Sequence, residues 1–165
     1  MALRYVARFA TSAAKLEAYL ARKLRERGWE EDNADEAVKV IGGLLTRFIA
    51  AGYVNDEAYA QIKTQSLLRR GYGKRRIDQA LVQAGIGEDV RLDLRAGVTE
   101  QRQAALALAK RRRLGPYGAQ ASDGRERERQ MAAMLRAGHP LDMARKLVDA
   151  ADVETAEQWA CEGEQ

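Results

Sequence analysis

Apolar residues recur along this chain at the three- and four-residue spacing of helices that bury one face, and nowhere with the sustained alternation of strands. Leu16, Tyr19, Leu20 and Leu24 form one such face over residues 12–27, and Gly28 closes it. In the acidic stretch that follows, Asn33 and Glu36 have the spacing of a capping box. Val38, Ile41, Leu45 and Phe48, widened by Leu44 and Ile49, predict a second helix running to about Ala51. Gly42 and Gly43 interrupt it at roughly 1 kcal/mol each relative to Ala. Close packing against a neighbouring helix is the expected reason, with a local kink as the alternative. Gly52 stops that helix, and Asn55 is placed to cap a third, with Asp56 and Glu57 in the first turn where the dipole favours anions. Tyr59, Ile62, Ser66 and Leu67 are its expected buried side. Residues 2–10 read as a short helix or an extended arm.

The stretch from Leu67 to Leu81, LLRRGYGKRRIDQAL, is the centre of the pattern. Gly71 and Gly73 bracket Tyr72, and Ile77, Ala80, Leu81 and Ala84 resume a buried helical face, so the segment predicts a tight helix-turn-helix. Gly71 sits where a left-handed cap is expected. Lys74, Arg75 and Arg76 then fall in the first turn of a helix, where the dipole disfavours cations by a few tenths to about 1 kcal/mol each. Stability alone does not place them there. Cations around free amides at a helix start suit an anion, either phosphate or carboxylate, and the plainer alternative is a solvated basic face.

Beyond Gly87 a long helix is expected from Glu88, with Val90, Leu94, Val98, Ala105 and Leu108 on one side and Gly97 as a candidate break. It ends in Lys110, Arg111, Arg112 and Arg113, where the dipole does favour cations. Residues 114–124 are the one clear loop. Asp123 and Glu126 are placed to cap a helix carrying Met131, Met134 and Leu135 and ending at Gly138. Pro140 opens the next, with Met143, Ala144, Leu147 and Val148 inward, and a last helix starts near Asp152 and carries Trp159.

A repeat runs through these elements. LRERGW at Leu24–Trp29, LLRRGY at Leu67–Tyr72 and MLRAGH at Met134–His139 each place a helix end, a glycine and a ring in the same order, and an amphipathic helix follows each. Units of that size cannot bury their faces alone, which favours an all-α, elongated array of small helical units over a compact bundle. Expected divisions are 1–54 for a first repeat, 55–114 for a central one with the basic turn, 115–124 for a loop, and 125–165 for a C-terminal unit with an acidic tail.

Ala, Leu, Arg, Glu and Gln dominate, and only two prolines occur, which agrees with an all-helical reading. The net charge of +4 coexists with 24 acidic residues, so charge is segregated, and a polyanion or an acidic protein surface is the expected partner. Cys161 is the only cysteine, which excludes a disulfide framework within one chain. The first 16 residues have no acid and superficially resemble a mitochondrial presequence. Arg4 and Arg8 interrupt any signal-peptide core, and no apolar run approaches the roughly 20 residues that span a bilayer. The expectation is a cytoplasmic protein with no membrane contact. His139, the only histidine, precedes Pro140 and reads as a cap-region residue rather than a general base. With no phosphate loop, no histidine pair for metal and no nucleophile beside a base, no catalysis, cofactor or metal is expected.

LEAYLARKLRERG, GYVNDEAYA and LLRRGYGKRRIDQAL followed by QAGI together resemble the RecX family of bacterial recombination regulators. The resemblance is most specific from Gly52 to Ile86. It is fair from Leu16 to Gly28, and weaker from Ala104 to Ala150, where ALALAKRRR and MLRAGHPLDMARKLV keep the family's rhythm. The short N-terminal region, the Gly42–Gly43 pair and the loop at Gly115–Gly124 depart from it. The resemblance implies tandem three-helix repeats and a regulatory protein that binds the RecA recombinase filament, inhibiting its ATPase and strand exchange in DNA repair, recombination and the SOS response. The partner is then the filament, with single- or double-stranded DNA a second candidate, and the protein acts as a monomer. The expected contact residues are Arg69, Arg70, Tyr72, Lys74, Arg75 and Arg76, joined by Lys110, Arg111, Arg112 and Arg113. A helix-turn-helix DNA-binding protein without a recombinase partner is the alternative.

Overall fold

Helices account for every regular element in a computed structural model that describes residues 2–28, 34–94, 96–118 and 124–162. In chain order they are α1 (Ala2–Val6), α2 (Ala13–Arg25), α3 (Ala34–Ala50), α4 (Asp56–Arg69), α5 (Lys74–Val82), α6 (Glu88–Asp93) and α7 (Val98–Arg112). A 3-10 turn at Gly115–Tyr117 leads to α8 (Gly124–Arg136), α9 (Leu141–Val148) and α10 (Val153–Cys161). The fold is all-α and repeats three-helix units along the chain. None of the described helices is long and apolar enough to cross a membrane. The caps expected at Asn33 and Asp123, like Trp29 of the first repeat motif, lie outside the described residues.

By contact the chain divides into two units, one of residues 1–62 with 81–93 and the other of residues 63–80 with 94–165. In the first, Ser12 caps α2 by accepting from the Lys15 amide, and its hydroxyl donates to the Ala84 carbonyl at 2.5 Å. The Ala13 amide donates to Asp56 Oδ1 at 2.8 Å, so Asp56 joins two helix starts instead of serving its own dipole alone. Leu16, Leu20, Ile41, Phe48 and Val54 form the buried core, with Tyr5, Tyr19, Leu24, Leu44 and Leu45 packed against it. Periodicity over-read this face. Val38 is 68% exposed and Ile49 52%, because α3 turns only the Ile41–Phe48 side to the core. In α4, Ile62 is 60% exposed, while Ala60 and Thr64 are buried with Tyr59 and Leu67.

Gly42 and Gly43 are exposed, and among the described residues a Cβ at either would meet nothing within 4 Å, so close packing against a described helix is not their reason. Gly42→Ala and Gly43→Ala are therefore expected to stabilise the protein by about 0.5–1 kcal/mol each, through backbone entropy. Thermal melts of the single variants check this, and a lower melting temperature in either would mean that the position carries a contact absent here.

In the second unit, Leu108, Met134, Leu147, Ala105 and Ala144 lie at the centre of a core that Tyr72, Tyr117 and Trp159 edge. Gly97 breaks the long helical pattern as expected and stands at the N-cap of α7. The start of the expected loop is not free connector. Leu114 is buried, the Gly115 amide donates to Gln130 Oε1 at 2.7 Å, and a 3-10 turn follows. Asp152 caps α10 through the Thr155 amide at 2.7 Å.

Candidate functional site

All ten residues expected at the partner surface belong to the second unit. α4 ends in the αL terminator that glycine allows. Gly71 has φ +72, its amide donates to Leu68 O at 2.8 Å, and the Tyr72 amide donates to Leu67 O at 3.0 Å. α8 ends identically, with Gly138 at φ +94, its amide on Leu135 O and the His139 amide on Met134 O. Gly28, at the first copy of the motif, also has positive φ, at +79. The repeated motif thus encodes a repeated helix end. Gly52–Tyr53 and Gly85–Ile86 make the same hydrogen-bond pair outside the repeated motif.

The two terminators meet. The Gly73 amide donates to Ala137 O at 2.9 Å and the Arg75 amide to Gly138 O at 3.2 Å. A Cβ on Gly73 would stand 2.5 Å from Gly138 O and His139 N, and one on Gly138 would stand 2.5 Å from Arg76 N. The start of α5 is therefore sealed by the carbonyl end of α8, and two of the amides expected to hold an anion are already engaged. This junction also answers why cations tolerate the first turn of α5. They stand at the C-terminus of α8, whose dipole favours positive charge, and the Arg75 guanidinium donates to Leu135 O at 2.7 Å. Arg75 consequently contributes a hydrogen bond to the fold while remaining exposed.

Around this junction Arg69, Arg70, Lys74, Arg75 and Arg76 are exposed. Arg70 lies 5.4 Å from the Tyr72 ring centre, and Arg76 donates to Gln79 Oε1 at 2.8 Å. Tyr72 itself is half-buried against the core, which leaves only an edge for a partner. The second cluster begins close by, because the Leu108 amide nitrogen would lie 2.8 Å from a Cβ on Gly71. Lys110 is bound internally, paired to Glu157 at 2.7 Å and lying 5.6 Å from the Tyr117 ring centre. That hydrogen bond raises the Lys110 pKa and lowers that of Glu157. Arg111, Arg112 and Arg113 are exposed, and Arg113 closes α7 with φ 55.

Sequence reasoning missed how central His139 is to this turn. Its ring is 3% exposed, and Nε2 lies 3.0 Å from Gly71 O, so Nε2–H donates and the ring pins one terminator to the other. The available signal was its position in the repeat, equivalent to Tyr72. Nδ1 is buried without a partner, and burial holds the pKa below the ordinary imidazole value of 6.5, against the raising effect of the Gly71 carbonyl. Protonation would bury an N–H with no acceptor. Because the folded pKa is depressed, the unfolded chain binds more protons, so the stabilisation is complete above about pH 6.5 and falls as pH drops through that value toward the folded pKa. Urea denaturation from about pH 7.5 to 5 should show this loss, and His139→Gln, which keeps a donor, should flatten it; an unchanged pH slope would refute the assignment.

Among the described residues no group of three or more His, Cys, Asp or Glu could hold a metal ion. What the site offers chemically is a junction of backbone hydrogen bonds with exposed cations around it, which can attract anions or acidic groups. Residues 55–91, which contain the basic turn, match the family model described as RecX, second three-helix domain. The chain is 33% identical over 153 residues to Regulatory protein RecX of Myxococcus xanthus, covering 90% of this chain and 82% of that one. Regulatory protein RecX of Mycobacterium sp. strain KMS is 30% identical over 149 residues, covering 87% and 78%. That of Pseudomonas savastanoi pv. phaseolicola is 32% identical over 130 residues, covering 78% and 77%. No solved structure matches the chain.

Proposed function

The chain belongs to the RecX family of regulatory proteins, and on that premise we propose that it binds the RecA recombinase filament and inhibits its ATPase and strand exchange. The observation that carries this reading is that the family-matched segment contains the basic turn and that its cations ring a junction held by backbone hydrogen bonds. Such a mount presents charge without a backbone ordering cost on binding, leaving only the side chains to be ordered, and its positive field speeds encounter with an anionic filament. Arg69, Arg70, Lys74, Arg76 and Arg111–Arg113 make the contacts in this reading, while Arg75, Tyr72 and Lys110 hold their neighbours in place. In this reading 1–54 is a first repeat, 55–114 a central repeat with the basic turn, and 125–165, beyond the loop 115–124, a C-terminal helical unit with an acidic tail, in a monomer acting in the cytoplasm.

Titration into preformed RecA filaments on single-stranded DNA, with ATP hydrolysis and strand exchange followed, tests the reading. Both rates should fall with added protein. Unchanged rates at saturating protein would reject it, and selective binding to one duplex sequence without a filament effect would favour a DNA-binding regulator instead.

A further inference from the structure

After Lys146 the sequence holds six acidic residues and no cation, whereas α7 and its C-cap carry Lys110–Arg113. Asp149 pairs with Arg127, and Asp152 caps α10. Glu157 instead reaches from α10 across to α7. Its Oε1 accepts from Lys110 Nζ at 2.7 Å and from Tyr117 Oη at 3.3 Å.

The two donors are positioned without Glu157. Lys110 stands in the last turn of α7, and Tyr117 closes the 3-10 turn that the Gly115 amide anchors on Gln130 Oε1. Lys110 Nζ lies 5.6 Å from the Tyr117 ring centre, so the ring keeps the cation beside its own hydroxyl. α10 has other anchors besides the pair. Ala156 and Ala160 are buried, and Arg102 donates to Trp159 O at 3.3 Å and to Glu162 O at 2.8 Å. The Lys110 and Glu157 side chains are 48% and 46% exposed, so water reaches the pair and its rupture costs little.

We propose that Lys110 Nζ and Tyr117 Oη form a seat for the carboxylate of an acidic protein segment, and that Glu157 is an internal competitor occupying that seat. The ligand already in place is a helix-borne carboxylate, which is the chemistry a partner's acidic segment would supply. An incoming carboxylate displaces the Glu157 side chain while α10 stays docked. Lys110 then stops holding its neighbour and extends the exposed run Arg111–Arg113. Access to this part of the cationic surface is thereby limited by a group of the chain itself. No recombinase enters the test, so its outcome is separate from that of the filament reading.

The test is fluorescence anisotropy of a fluorescein-labelled peptide of about ten glutamates at low ionic strength, where exposed charges are least screened. Glu157→Gln leaves an acceptor for Tyr117, removes the competing charge, and should tighten binding about fivefold, the upper end of what an exposed ion pair is worth. Glu154→Gln removes the same charge one turn earlier on α10, where the carboxylate accepts from Gln158. It should stay within about twofold of the parent. Glu157→Asp keeps the net charge but shortens the reach to Lys110, so it should also tighten binding. In a Lys110→Met background, Glu157→Gln should bring no gain. Equal gains from Glu154→Gln and Glu157→Gln would overturn the proposal, as would a gain that survives Lys110→Met or a Glu157→Gln protein that does not bind the peptide. A marked fall in melting temperature in both Glu157 variants would make the pair a structural clamp and overturn it equally.

Discussion

Gly138→Ala is expected to destabilise the protein by about 3 kcal/mol or more. Two costs add. At φ +94 the added Cβ carries the left-handed penalty of about 1–2 kcal/mol, partly offset by the lower entropy of the unfolded chain. It would also stand 2.5 Å from Arg76 N and 2.7 Å from Arg76 Cβ, where the nearest obstacle is main chain and cannot rotate away. Relief therefore requires parting the α5–α8 junction, with loss of the Gly73 and Arg75 amide bonds. Gly28→Ala is the control, since Gly28 has φ +79 and, among the described residues, nothing within 4 Å of the added Cβ. It isolates the conformational cost, about 1 kcal/mol. Denaturant unfolding of both variants decides the point: equal losses would mean that the junction gives way freely.

Lys74→Ala with Arg76→Ala should abolish most filament inhibition, raising the half-inhibitory concentration about tenfold or more, while leaving the melting temperature close to that of the parent. Lys74 and Arg76 are exposed, and among the described residues the Arg76 side chain donates to Gln79 on its own helix. Arg75→Ala is expected to behave differently, losing about 1 kcal/mol of stability with the Leu135 hydrogen bond. Filament inhibition and thermal melts measured on the same preparations separate the two roles. If the surface contacts phosphates, the double variant should also flatten the salt dependence of binding by up to about two on duplex DNA. Normal inhibition by the double variant would make the turn a solvated face, and a collapsed melting temperature would make it structural.

Helix positions and ends were legible in the sequence because local chemistry decides them. Ser12, Asn55 and Asp152 accept the amides that helix starts leave unpaired, and Gly71 and Gly138 adopt the conformation that helix ends demand. Burial was legible only where the stripe was narrow. Val38, Ile49 and Ile62 fit the helical period, yet they are more than half exposed, since period alone cannot say how wide a face the neighbouring elements cover. The site was half legible. Cations against a dipole marked Lys74–Arg76 as unusual, but their compensation comes from Leu135, Ala137 and Gly138, a separation of 60 positions for the Arg75–Leu135 bond. The importance of His139 was hidden for the same reason, because its ring serves the Gly71 carbonyl 68 residues earlier.

That separation has a consequence for the order in which the protein can be made. Synthesised from the N-terminus, the chain completes the basic turn long before Ala137 and Gly138 exist, and at about 5–20 residues per second the wait is on the order of ten seconds. Throughout that interval the Gly73 and Arg75 amides have only water to bond, and Gly71 O lacks its imidazole. A ribosome-bound chain that stops short of residue 138 should therefore carry the cations of the turn without their fixed geometry. Protease sensitivity at Arg69–Arg76 in such stalled chains, vanishing once α8 and His139 have emerged, would record the moment at which the surface becomes competent.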